Sequence, residues 1–305
     1  MTSLQRAIVE TICYFDLFDY PLTLAELERY LWQANSVSTV TLANTVAQLS
    51  TIIACTNGWL TLVGREQIIQ TRHERYNASE QKWHKRLPYL RLLSFLPGVE
   101  AILIVNTLAY HNARPASDID LLIITRPGKI WSTRFFTTLL AKLLRLRPRP
   151  GYTKDTLCLS FYLDRSQLDL NALNNGSADR HQAYWLAQAF PVYDPQQLAT
   201  ALLIANPWVK QRLPQTVPLQ LHPYRTIRHT WLHHIVQSGL GLLAFEGLLK
   251  RLQLAILPRQ LKQLHGPIQS AVVVLSDRLL KFHTYDPRPE LTKRFQANLT
   301  LAYSR

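Results

Sequence analysis

A chain of 305 residues with 47% apolar and 18% charged residues has material for more than one hydrophobic core, which excludes wholesale disorder and low-complexity scaffolds. Its formal charge of +14 is uneven: residues 1–97 hold 9 Lys and Arg against 8 Asp and Glu, 98–190 hold 11 against 7, and 191–305 hold 14 against 5. That excess favours phosphate-rich partners such as nucleotides, nucleic acid or anionic lipid, although solubility alone would also ask for it.

Residues 1–77 pattern as three helices and a hairpin. Leu4, Ile8, Ile12 and Phe15 recur at helical spacing. Pro21 breaks the chain, and Thr23 followed by Glu26 forms a capping box for a second helix through Trp32. A third helix is expected over 39–49, and strands at 52–55 and 59–63 flank Asn57-Gly58, a strong hairpin signal. This order is that of a winged helix. The third helix often enters the DNA major groove in such domains, but here it offers Thr41, Asn44, Thr45 and Gln48 without Lys or Arg. The phosphate attraction that dominates DNA affinity is largely missing. A protein partner for this domain is therefore the preferred expectation, with Arg65, Arg72 and Arg75 beyond the hairpin as the counter-argument.

A helix is predicted over 79–96, divided by Pro88, with Lys82, Lys85 and Arg86 on a solvated face or beside a ligand site. The stretch AILIVNTLAYHNARPASDIDLLIIT, 101–125, follows. Asp118 and Asp120 stand two apart where a strand is expected, so both leave the sheet on one face. Leu121, Leu122, Ile123 and Ile124 suit a strand buried on both faces. Carboxylates at the mouth of such a strand repel and are costly to desolvate unless a cation or basic group sits between them. Oxygen ligands combined with substrate phosphates suit Mg²⁺, although many D-x-D pairs only cap strands or face water.

The strand at 101–105, the polar pair Asn106-Thr107, the turn-rich segment and Ser117-Asp118-Ile119-Asp120 resemble the nucleotidyltransferase domain of the DNA polymerase β type. Leu108, Ala109, Asn112, Ala113, Ser117 and 118–125 fit a bacterial and archaeal group of nucleotidyltransferase-domain proteins with an N-terminal winged helix. YFDLFDYPLT (14–23), PVYD (191–194) and ANPW (205–208) extend the likeness over most of the chain. The resemblance implies Asp118 and Asp120 as catalytic ligands of Mg²⁺, with Mn²⁺ as the alternative, and Asn106, Thr107 and Ser117 as nucleotide-binding residues. It implies an NTP donor and an acceptor that is a small molecule, a protein or an RNA, without choosing among them. Where the superfamily carries Gly-Ser, this chain carries Asn106-Thr107. Asn tolerates the left-handed conformation and Thr keeps a hydroxyl, but the added Cβ alters the phosphate cradle. A third carboxylate usually joins from a later strand. The candidate strand, 156–163, has Ser160 as its polar interior residue, with Asp155 and Asp164 at its ends.

Further on, 129–146 is predicted as the helix crossing back to the sheet, ending in basic Lys142, Arg145, Arg147 and Arg149. A helix is expected over 178–190, stopped by Pro191, and another over 222–250. His229 and His233 stand four apart, but without a Glu-x-x-His signature ordinary helix histidines are expected. Residues 281–288, KFHTYDPR, supply His283, Asp286 and Arg288, either as phosphate or sugar contacts or as a capping network before the prolines.

These readings give an α+β protein: a winged helix at 1–77, a polymerase β-like nucleotidyltransferase domain with a mixed sheet and its leading helix at 78–175, and a helical region at 176–305. The expected function is metal-dependent transfer of NMP from an NTP. The alternatives are a catalytically degenerate nucleotide-binding or regulatory protein and a nucleic-acid-binding module. Cys13, Cys55 and Cys158, without C-x-x-C spacing, read as buried thiols of a reducing compartment. No basic-then-apolar leader and no apolar run of about eighteen residues is present, so the expectation is a cytoplasmic protein without a membrane span.

Overall fold

Thr23 and Glu26 cap each other at the start of a helix: the Thr23 hydroxyl accepts from the Glu26 amide at 3.2 Å, and the Glu26 carboxylate accepts from the Thr23 amide at 2.9 Å. The computed structural model describes residues 1–35, 37–174, 176, 179–217, 219, 222–267 and 272–304. Its first elements are α1 (Ser3–Asp16), β1 (Leu22–Thr23), α2 (Leu24–Tyr30), α3 (Thr39–Ala47), β2 (Ile53–Thr56) and β3 (Trp59–Leu62). The three strands form an antiparallel sheet in the order β1-β3-β2. Asn57 and Gly58 have φ of 52° and 82°, the left-handed pair a two-residue hairpin turn requires.

The next helix, α4 (Ile68–Ser94), is one 27-residue element. It begins eleven residues before the expected start and continues through Pro88. Periodicity failed over 68–78 because the inward face carries arginines: Arg72 pairs with Glu26 at 2.7 Å and Arg75 with Asp19 at 2.9 Å. Buried Trp83, Leu90 and Leu93 hold the helix together across the proline, offsetting the hydrogen bond it removes.

The central sheet is built from β4 (Val99–Ile104), β5 (Ile119–Thr125), β6 (Leu157–Asp164), β7 (Phe190–Tyr193), β8 (Val273–Leu275) and β9 (Leu279–Phe282), in the order β7-β4-β5-β6-β9-β8. Only β5 and β6 run parallel, joined by the crossover helix α5 (Ile130–Leu143). The remaining helices are α6 (Arg180–Ala187), α7 (Leu198–Ile204), α8 (Pro207–Arg212), α9 (Trp231–Gly241), α10 (Glu246–Ile256), α11 (Arg259–Gln263) and α12 (Arg288–Tyr303). The architecture is α+β with a mixed six-stranded sheet.

The stretch 176–305 is not only helical: it supplies β7, β8 and β9. These strands are three or four residues long, too short to show alternation, and Pro191 is accommodated because β7 is an edge strand. Of the helix expected at 178–190, Ala178 lies outside the described residues, α6 covers 180–187, and Phe190 and Pro191 belong to β7. The helix expected over 222–250 is α9 and part of α10, separated by 242–245.

Alternation along β4, β5 and β6 feeds two cores. Ala101, Leu103, Leu122, Phe161 and Leu163 face a core shared with α1, α6 and α12. Ile102, Ile104, Leu121, Ile123 and Tyr162 face the core under α4 and α5. The last helix returns to the first, where the Asn298 amide donates to Asp16 at 3.1 Å. The N-terminal unit and the sheet are therefore packed through a common interior.

Of Lys82, Lys85 and Arg86 on α4, only Lys85 is on a solvated face; Lys82 and Arg86 are buried. The Lys82 side chain is 2% exposed and donates to the carbonyls of Pro115 (3.0 Å) and Ser117 (2.7 Å) and to Asp155 (2.8 Å). Lys85 reaches the other Asp155 oxygen at 2.7 Å, and Arg86 donates to the Asp155 carbonyl at 2.6 Å. Burial alone would raise the Asp155 pKa, but hydrogen bonds from Lys82 and Lys85 outweigh it and hold the carboxyl below its ordinary value. This stabilisation is present above the unfolded carboxylate pKa and is lost as pH falls through the lower folded value. Lys82→Met, which strips a buried charge of its main partner, should cost about 3 kcal/mol in denaturant melts at neutral pH. Lys85→Met, at the exposed end of the pair, should cost under about 1 kcal/mol.

Candidate functional site

Asp118 ends the loop held by Lys82, and Asp120 lies in the first turn of pleat of β5. In the parallel register Asp120 faces Cys158 on β6, so the neighbour of the aspartate pair is a thiol. One ligand atom from each of Asp118, Asp120 and Cys158 lies within 4.8 Å of the others, an acidic group able to hold a divalent cation. Burial raises the pKa of Asp118, against smaller opposing contributions that include Lys82 and Arg147. Burial, followed by the Asp118 charge, pushes Asp120 up to about 6, while hydrogen bonds from Asn106 and Cys158 oppose the shift. Burial and the Asp120 charge push the Cys158 thiol up to about 12. A protonated thiol is no ligand for a hard cation, so the donor set such an ion meets here is two carboxylates.

Asn106 adopts φ of 58° at the end of β4, the left-handed conformation expected for it, and its side chain lowers the Asp120 pKa against the larger effect of burial. Thr107 follows in the short 3₁₀ turn Asn106–Leu108, its carbonyl accepting from the Asn112 amide at 2.7 Å. Ser117 is directed elsewhere: its hydroxyl donates to the Arg114 carbonyl at 2.9 Å, and its own carbonyl is held by Lys82.

Asn106 and Asp120 open into a cavity of about 230 Å³ whose other wall comes from the far end of the chain. Phe161 of β6 and Lys281 of β9 are cross-strand partners and both line it. His283, two residues beyond Lys281, lines it too, and its Nε2 lies 3.2 Å from the hydroxyl of Ser160. The Ser160 hydroxyl is in turn 3.3 Å from Cys158 Sγ, which links the polar residue expected on this strand to the acidic group. Trp185, His181 and Gln182 of α6 and Tyr285 complete the lining. Burial, with Lys281 next in size, pushes His283 down to about 4, and burial also lowers His181, so both imidazoles are neutral at physiological pH. Lys281 itself is lowered by burial and then by Arg288.

Asp286 and Arg288 also border the cavity, but Arg288 is occupied by the protein. It grips both Asp286 oxygens, Asp179 at 3.0 Å, the Leu173 carbonyl at 2.7 Å and Gln182 at 3.2 Å. It pins the loop before α12 to α6, which is the capping alternative for this motif.

Neither proposed third carboxylate joins the acidic group. Asp155 is tied to Lys82 and Lys85. Asp164 pairs in register with Thr125, five residues beyond Asp120 and so about 16 Å along the strand. Asp164 accepts instead from the amides of Gly128 at 2.7 Å and Ser166 at 2.8 Å. His229 and His233 do not form a metal pair: His233 Nδ1 faces Thr230 and its Nε2 faces Ser94 at 3.1 Å. Of the cysteines expected to be buried, Cys13 is, Cys55 is exposed on β2, and Cys158 is half-buried in the acidic group.

Cys158, Lys281, His181 and Trp185 were not singled out by sequence as site residues. A signal existed for Lys281, two residues before His283, but β9, which carries it, had to be recognised first. No family model, no curated protein and no solved structure matches this chain.

The raised Asp120 pKa makes a stability prediction for the metal-free protein. Its folded pKa lies above the unfolded value, so the native state loses relative stability as pH rises from about 4 through about 6. Asp120→Asn should stabilise the protein by about 1–2 kcal/mol at pH 7, and the gain should vanish near pH 4, in urea melts with chelator present.

Proposed function

We propose that this chain is a metal-dependent nucleotidyltransferase that takes an NTP at the Asp118–Asp120 end of the cavity. The observation that carries the reading is the pair of desolvated carboxylates, Asp118 beside Asp120, with Asp120 lining a cavity shared with Asn106, Lys281, His283 and Trp185. Two carboxylates with room for phosphate oxygens are the donors Mg²⁺ takes in phosphoryl-transfer sites, and Mn²⁺ accepts the same set. A divalent cation held there supplies charge neutralisation of the triphosphate.

The chain's own residues divide the remaining work. Asn106 sets the backbone beside Asp120 in the left-handed turn and orients the carboxylate through its side chain. Lys281 supplies positive charge on the same wall, and Trp185 and Phe161 offer flat apolar surfaces suited to a base. Neutral His283, bonded to Ser160, can accept a proton from an incoming hydroxyl. The acceptor is a small molecule, a protein or an RNA. The resemblance of 101–125 to the polymerase β type, and the α1-β1-α2-α3-β2-β3 order expected of a winged helix, support the same reading. For that N-terminal unit a protein partner fits better than DNA, since Arg65, Arg72 and Arg75 are all paired with its carboxylates.

One observation favours a second reading, nucleotide binding without turnover: Cys158 stands opposite Asp120 where a third carboxylate would serve. Incubation with each NTP, Mg²⁺ or Mn²⁺ and a panel of acceptors should release pyrophosphate, and Asp118→Ala or Asp120→Ala should lower the rate by at least about 100-fold. Metal-dependent NTP binding with no pyrophosphate from any acceptor would favour the second reading. In that case Cys158→Asp should tighten Mg²⁺ binding by about tenfold in a titration with NTP present.

A further inference from the structure

The pair α9 and α10 exposes large apolar side chains where a helix on a protein surface ordinarily carries polar ones. Inward, Leu240 and Leu254 pack against the core and Leu249 is buried, and beside them stand polar residues satisfied by the protein. His233 is stacked between Phe95 and Tyr193 and bonded to Ser94. Gln237 donates to the carbonyls of Ser94 and Val99, and Gln253 to those of Trp131 and Leu249. Glu246 turns inward to accept from the Trp131 and Ser132 amides at 2.7 and 2.9 Å.

Many of the outward residues are large and apolar. Of the 23 large apolar side chains that the described residues expose, nine fall within 231–256, so the exposure is a patch rather than scatter. Trp231 and Ile235 lie on α9, Leu242 and Phe245 in the connecting turn, and Leu248 and Ile256 on α10. Leu242 is 79% exposed, at the bend.

Charge identifies what such a face fits. Residues 222–266 contain six Lys and Arg and one acid, Glu246, which is the residue turned inward. Arg225 is taken by Glu80 and Lys250 by Asp277, leaving Arg228, Arg251, Arg259 and Lys262 exposed around the apolar patch. A second copy would bring these cations against one another, which opposes a symmetric dimer. An anionic lipid leaflet answers both features, taking apolar side chains at the acyl boundary and cations at the phosphates. No helix among the described residues is long and apolar enough to cross a membrane. At eleven residues each, α9 and α10 are about 16 Å long, suited to lying in the interface.

We propose that α9, α10 and their connecting turn form a membrane-docking surface that seats the protein on anionic lipid bilayers. The full chain should float with vesicles of phosphatidylcholine containing about one quarter phosphatidylglycerol, and at least about tenfold less with phosphatidylcholine alone. Leu242→Asp, Phe245→Asp and Leu248→Asp together should reduce flotation by at least about tenfold, with an unchanged thermal melt because all three side chains are exposed. Arg251→Glu with Arg259→Glu should weaken binding to the anionic vesicles by at least about fivefold and leave binding to the neutral ones unchanged. Absence of flotation with anionic vesicles, or flotation unaffected by the triple variant, would overturn the proposal. So would a dimer in sedimentation equilibrium that the triple variant dissociates, which would assign the patch to a second copy.

Discussion

Lys82 carries an ammonium group into the protein with 2% of its side chain exposed, which is tolerable only because Asp155 and the carbonyls of Pro115 and Ser117 receive it. Those acceptors come from two separate segments, the loop that leads into β5 and the residues that lead into β6. One cation on α4 thereby fixes where both strands of the parallel pair begin. Asp118 immediately follows the loop it holds, and Cys158 lies three residues after Asp155. The acidic group is positioned by this ion pair before any ligand contributes, and the continuity of α4 through Pro88 keeps the cation at the required height.

How much of this could be read from the sequence depends on how local each signal is. Asp118 and Asp120 are legible because a two-residue spacing and the apolar run after it define a strand face without help from elsewhere. The capping box at Thr23 and the turn at Asn57-Gly58 are legible for the same reason. Asn106 is an intermediate case: its tolerance of positive φ is a property of the residue, but its place beside Asp120 depends on the pairing of β4 with β5. The facing thiol of Cys158 depends on the β5–β6 register, and a bulge between Asp120 and Leu122 shifts that register. Lys281 and His283 depend on β9, a four-residue strand entering the sheet more than a hundred residues after β6. The burial of Lys82 is not legible because helical periodicity cannot distinguish a charged face turned to water from one turned to a buried carboxylate.

The overall charge has the same double meaning. In the first half of the chain several cations are consumed internally: Arg65, Arg72 and Arg75 tie the start of α4 to the N-terminal unit, and Arg72 also lies over the rings of Tyr20 and Trp59. Such arginines add rigidity without a field directed at a partner. The exposed cations of 222–266 differ because the acid in that stretch is turned inward. The net charge of +14 is therefore a poor guide to a nucleic-acid partner, and its location is the informative quantity.

Asp118 and Asp120 set the terms on which the cavity operates. Burial disfavours both charges, and Asp120 receives relief only from Asn106 and Cys158, neither of which is a cation. Asp155 shows the contrast within the same region, since two lysines overcome its burial and hold its carboxyl low. Lys82 could have neutralised the aspartate pair but is committed to Asp155 and two carbonyls. Arg288, at the opposite wall, is likewise committed to Asp286 and Asp179. The protein thus satisfies its buried carboxylates at the start of β6 and before α12 while leaving those of β5 electrostatically incomplete. A divalent cation bound there would restore that balance.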